Sequence, residues 1–135
     1  MNTNPTKTAL VTGAGTGIGK AAAKSLLQGG FNVVLTGRNL ERLQKAITDI
    51  GGNENNCLAV ACDVGKPEEV KVLFAALKAK FSRIDVLFNN AGMGAPAIPM
   101  EDITYEQWMN VVNANLCGAF LCSQEAIRMM KAQSP

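Results

Sequence analysis

The stretch that most constrains this chain is TGAGTGIG at residues 12–19, with glycine at 13, 15, 17 and 19. Ahead of it, Thr8-Ala9-Leu10-Val11 is a short apolar run of the kind that forms a buried strand. Behind it, Ile18, Ala21, Ala22, Ser25 and Leu26 recur at helical spacing, and Gly29-Gly30 supplies a helix stop. The glycines therefore lie in a loop that joins a strand to the first turn of a helix. Glycine there permits positive φ and lets another molecule approach the backbone without meeting a Cβ. The helix start adds unpaired N–H groups and the positive end of its dipole, which together suit a phosphate. With a strand before the loop and a helix after it, phosphate binding is a better reading than a tight turn alone.

The spacing narrows the choice. Gly19-Lys20 is followed by Ala21, so a Walker A loop lacks its Ser or Thr. G-x-G-x-x-G fails as well, because its last position falls on Ile18 from Gly13 and on Lys20 from Gly15. What fits is T-G-x-x-x-G-x-G through Thr12, Gly13, Gly17 and Gly19, with Gly15 extra.

The rest of the chain repeats the strand–helix rhythm. Strands are expected over 31–36, 58–62 and 84–88, and a helix over 40–50 that ends at Gly51-Gly52. Pro67 suits a first helical turn, and Val70, Leu73, Phe74, Leu77 and Phe81 form the stripe behind it. Two further helices are expected over 104–113 and 116–131. Such alternation implies parallel strands with right-handed crossovers. The expected fold is α/β, a Rossmann-type parallel sheet flanked by helices, with strand order 3-2-1-4 and truncated after about four strands. At 135 residues one domain is expected.

Composition excludes other classes. A net charge of +2 is too small to argue for nucleic acid or an acidic membrane surface. No window offers the apolar length of a membrane span, and MNTNPTKTALV leads into the first strand with no room for a signal peptide. Cys57, Cys62, Cys117 and Cys122 have neither redox nor zinc spacing, and the chain has no histidine, so no metal site is expected. Reduced thiols in a cytoplasmic protein are the expectation.

The glycine spacing, joined by Asn89-Asn90-Ala91-Gly92 after the fourth strand and by Trp108 ahead of Asn115-Leu116-Cys117-Gly118-Ala119-Phe120, resembles the short-chain dehydrogenase/reductase family. The likeness runs from Thr8 to about Met130, with reductases of the β-ketoacyl or sugar/polyol type nearest in look. It implies a dinucleotide cofactor on Gly13, Thr16, Gly17, Ile18 and Gly19, with Asp63 accepting from the adenine amino group and Val64 beside it. It also implies that Asn90, Ala91 and Gly92 line the cofactor, that Asn89 ties strands together, and that Asn115 is the catalytic asparagine that helps hold a water in a proton relay.

At the end of the second strand, Thr36-Gly37-Arg38-Asn39 lacks the carboxylate that usually receives the ribose hydroxyls of NAD. The guanidinium of Arg38 can pair bidentately with a 2′-phosphate, so NADP(H) is expected in preference to NAD(H). Thr16 stands where many NADP-dependent relatives carry a second basic residue.

Family chemistry moves a hydride between nicotinamide and a carbonyl or alcohol carbon, using a Tyr-x-x-x-Lys pair and a serine. The chain's one tyrosine, Tyr105, precedes Asn115 and is followed four residues later by Met109. The chain is therefore expected to be the cofactor-binding half of the family fold, inactive alone. The alternatives are a nucleotide-binding regulatory module and a subunit completed by a separate chain. An unpaired sheet edge and an uncovered helix face further imply a homo-oligomer.

Overall fold

A computed structural model describes residues 4–135. Of the stretch read ahead of the first strand, residues 1–3 lie outside it. Four parallel strands, β1 (Thr8–Thr12), β2 (Asn32–Gly37), β3 (Cys57–Ala61) and β4 (Val86–Phe88), form one sheet in the order β3-β2-β1-β4. This is the order expected of a Rossmann-type doubly wound sheet. Five helices accompany them: α1 (Gly17–Gln28), α2 (Leu40–Asp49), α3 (Pro67–Phe81), α4 (Tyr105–Val112) and α5 (Gly118–Ala132). Among the described residues, no helix is long and apolar enough to cross a membrane.

Successive strand residues point to opposite faces, so the sheet buries two separate cores. Leu10 and Val34 join Leu73, Phe74 and Leu77 of α3 and Cys122 and Ala126 of α5 on one face. Val11, Val33 and Leu35 join Ala23 of α1 and Leu43 and Ala46 of α2 on the other. The helix stops are glycine-based. Gly30 at φ 90° donates to Leu27 O while Phe31 N donates to Leu26 O, and Gly51 and Gly52 repeat the arrangement behind α2.

Three details depart from the sequence reading. The buried face of α1 is Gly19 and Ala23, backed by Leu26 and Leu27, whereas Ile18 is 75% exposed. The glycine loop must seat Gly19 inward, and this turns Ile18 outward. The fourth strand starts at Val86 rather than Ile84, because the Ile84 peptide is taken by a side chain. Gln133 Nε2 donates to Ile84 O at 2.7 Å, and Ile84 N donates to Gln133 Oε1 at 3.0 Å. Next to it, Asp85 Oδ2 accepts from Thr8 N at 2.9 Å, and the Arg83 guanidinium beside Asp85 holds its carboxyl below the usual carboxylate range.

Third, α4 and α5 are not broken apart. Residues Asn113–Cys117 form a π-helical turn that carries one helix into the next. Such a turn inserts one residue into the helical repeat and is often found at functional sites.

Candidate active site

The loops that follow all four strands meet at the carboxyl edge of the sheet, where the order turns from β2 to β4 on either side of β1. In an open parallel sheet that edge is where a ligand crevice forms. Here it holds a cleft of about 800 Å³.

The floor is made by β1 and the loop after β4. Buried Thr12 closes β1, and its Oγ1 accepts from Asn90 N at 2.9 Å and Ala91 N at 2.8 Å. Asn90 Nδ2 donates to Gly13 O at 3.2 Å. Asn90 is thus the amide that joins β4 to β1. Asn89, expected to tie strands together, donates instead to Ser123 Oγ at 3.0 Å and fastens β4 to α5.

Thr12→Val should leave two loop N–H groups without an acceptor, at about 1–3 kcal/mol each. The expected fall in melting temperature is roughly 6–30 °C. Thr12→Ser, which keeps the oxygen, should stay near the parent in the same thermal melts; equal losses for both variants would show that the hydroxyl does not hold this loop.

The glycines shape the rim. Gly13 sits at φ 62°, where a Cβ would lie 3.0 Å from Ala91 Cα. A Cβ on Gly19 would run into Gly13 O and the Asn90 amide. Gly17, at φ 57°, faces open space. Above this cradle stands the start of α1. Its N-cap Thr16 makes no side-chain cap, and its first turn contains no acid. By contrast, α2 has a cap from Asn39 and carries Glu41, and α4 has the Thr104–Gln107 capping box and Glu106. α3 has Glu68 and Glu69. Orphan N–H groups and an uncompensated dipole therefore face an approach kept clear by glycine, which fits the diphosphate of a dinucleotide.

Most of the residues singled out from sequence come together. Gly13, Thr16, Arg38, Asp63, Val64, Ala91 and Gly92 line the cleft. Asn90 and buried Gly19 lie beneath the glycine loop, and exposed Gly17 and Ile18 stand at its edge. Asp63 Oδ1 accepts from Gly65 N at 3.0 Å, and Asp63 N donates to Glu69 Oε1 at 3.1 Å, so the carboxylate is oriented by its own loop. That loop is pressed against the π turn. A Cβ on Gly118 would approach Val64 Cγ2 to 2.5 Å, and one on Gly65 would meet Asn113 O at 3.0 Å.

Asn115 sits within the π turn and grips both main-chain polar groups of one residue. Its Nδ2 donates to Met93 O, and its Oδ1 accepts from Met93 N, both at 2.8 Å. Met93 lines the cleft, so the asparagine's side chain fixes the loop that carries it. Tyr105 is 78% exposed on the first turn of α4. Burial pushes the Cys62 thiol up to about 12 and the Cys122 thiol up to about 11, so neither is a thiolate nucleophile at neutral pH. Among the described residues, no three His, Cys, Asp or Glu side chains gather to hold a metal ion.

The sequence reading overlooked the acceptor role of Thr12, the use of Gly15, and the cations Arg42 and Lys66, all of them at the cleft. Asn39 was the available signal for Arg42. As an N-cap it starts α2 there and puts Arg42 in the first turn.

Known proteins share this fold. The family model for short chain dehydrogenase matches residues 7–135. A short chain dehydrogenase/reductase of Macrophomina phaseolina, dpmpG, is 38% identical over 128 residues, covering 94% of this chain and 73% of the relative. The crystal structure of a 3-ketoacyl-(acyl-carrier-protein) reductase from Brucella melitensis, complexed with NADH, superposes with a TM-score of 0.87 at 34% identity, over 95% of this chain and 51% of that one. A metagenomic short-chain oxidoreductase in complex with NADP gives a TM-score of 0.86 at 32% identity, over 93% and 57%. The chain spans about half the length, or less, of most of the curated relatives it matches.

Proposed function

The chain belongs to the short chain dehydrogenase family, and from that premise we propose that it forms the NADP(H)-binding part of an oxidoreductase acting on a carbonyl or alcohol. The observation that carries the reading is the start of α1, left without cap or carboxylate above a floor of glycines. When bound, the nicotinamide supplies or accepts the hydride.

In this reading the N–H groups of Gly17, Ile18 and Gly19 receive the diphosphate. Asp63 and Val64 face the adenine, and Asn90, Ala91 and Gly92 support the sugar and ring. Arg38, exposed and without a carboxylate partner among the described residues, takes the 2′-phosphate. We assign Asn115 the positioning of the Met93 main chain, through which it acts on the reaction site. The fluorescence of NADPH titrated with the protein should saturate with one nucleotide per chain, and NADH should bind at least about tenfold more weakly. A chain that binds neither nucleotide would contradict the proposal.

Residues 1–135 contain no Tyr-x-x-x-Lys, and exposed Tyr105 has Met109 in the fourth place after it. The reading is therefore that these residues bind nucleotide in a cytoplasmic setting, while proton transfer needs groups from elsewhere. The same tyrosine supports a second reading, a subunit that a separate chain completes.

The exposed faces of α4, the π turn and α5 carry Trp108, Leu116, Phe120 and Ile127 beside the edge strand β4. Faces of this kind favour self-association. Light scattering at micromolar concentration should give a dimer or larger species; a clean monomer would contradict this.

A further inference from the structure

The chain has four arginines, at 38, 42, 83 and 128. Arg83 pairs with Asp85 and Arg128 with Glu125. Arg38 and Arg42 both line the cleft, and among the described residues neither guanidinium has a carboxylate partner. Arg42 is seated rather than loosely placed. Its N–H donates to Asn39 Oδ1 at 3.0 Å, which fixes it in the first turn of α2. Its stem lies across Gly15, where an added Cβ would come within 3.2 Å of both Cγ and Cδ. The bare glycine leaves the stem a groove that crosses from the β2–α2 loop to the β1–α1 loop.

Two unmatched cations on one wall repel each other until an anion lies between them. A phosphate monoester carries close to two charges and three acceptor oxygens, enough for two guanidinium forks. We infer that Arg42 is a second specificity-determining residue, which shares the 2′-phosphate of NADP(H) with Arg38 and uses Gly15 as its seat. The inference rests on the NADP(H) reading of this cleft. It also supplies the second basic group that Thr16 does not.

The test is equilibrium binding of NADPH and of NADH to the protein, to Arg42→Leu and to Arg42→Lys. Arg42→Leu keeps an apolar side chain on Gly15 and removes the fork. It should weaken NADPH on the order of tenfold or more while NADH changes less than about twofold. Arg42→Lys should fall between, since a point charge replaces the fork. Unchanged NADPH affinity in Arg42→Leu, or equal losses for the two nucleotides, overturns the role of Arg42 and leaves the NADP(H) reading intact. A parent protein that does not distinguish NADPH from NADH overturns that reading, and this inference with it. Gly15→Ala gives a second check. It should cost NADPH affinity in the parent and no further NADPH-specific affinity in Arg42→Leu, because the seat matters only while the guanidinium is there.

Discussion

Gly19→Val should abolish nucleotide binding and lower the stability of the whole domain. The Cβ that valine brings would collide with the carbonyl oxygen of Gly13 and approach Asn90 Nδ2 to 2.5 Å. A flexible side chain could move away, but the carbonyl belongs to the loop backbone and is itself held by Asn90 Nδ2 at 3.2 Å. The loop and the first turn of α1 must therefore separate, and the N–H groups meant for a phosphate lose their aim. Overpacking of this sort costs about 1–3 kcal/mol, and more where backbone is the obstacle. We expect a loss of at least about 3 kcal/mol in denaturant unfolding. NADPH binding should be weaker by two orders of magnitude or more, the equivalent of roughly 3 kcal/mol. Gly29→Ala is the control. At Gly29 φ is −77°, and the nearest atoms to an added Cβ lie at 3.4 Å, an ordinary contact. Alanine there should be neutral or stabilise by up to about 1 kcal/mol. Equal effects at the two sites would show that the loop geometry at Gly19 has no special role.

Arg38→Asp should reverse the nucleotide preference. The substitution removes a fork suited to a phosphate and puts a carboxylate where NAD-binding sheets of this class receive the ribose hydroxyls. Losing a charge-assisted contact and gaining a repulsion should weaken NADPH on the order of a hundredfold. NADH, with hydroxyls in place of the phosphate, should bind as well as before or better. Arg38 is exposed and packs into neither core, so circular dichroism and thermal melts should match the parent. Unchanged affinities for both nucleotides would remove Arg38 from the site.

The features that were legible from sequence are those that physics writes locally. Apolar runs bounded by Gly29-Gly30 and Gly51-Gly52 marked strands and helices, because Gly30 and Gly51 are the left-handed stops of α1 and α2. The stripe Val70, Leu73, Phe74 and Leu77 marked the buried face of α3. The strand order followed from reading the strand–helix alternation as a doubly wound sheet.

What stayed hidden depends on contacts distant in sequence. Thr12 reads as an ordinary strand residue until Asn90 and Ala91 arrive from 78 and 79 residues away. Which of Asn89 and Asn90 reaches the end of β1 depends on the path of the loop after β4, which packs between β1 and α5. The π turn at Asn113–Cys117 escapes a search for 3.6-residue periodicity, because the stripes on either side of an inserted residue read as two helices. Ile18 looked like part of the core stripe, but close packing of Gly19 against Gly13 sets the rotation of α1.

The central claim is that the glycine cradle, the end of β2 and the loops after β3 and β4 together form a dinucleotide site. Backbone amide hydrogen exchange, followed residue by residue with and without saturating NADPH, tests it most directly. Slowed exchange is expected in 13–19, 38–42, 63–66 and 90–93, with no change in 51–56 and 82–85 at the opposite edge of the sheet. Saturable binding with protection at that opposite edge, or with none in the glycine loop, would contradict it.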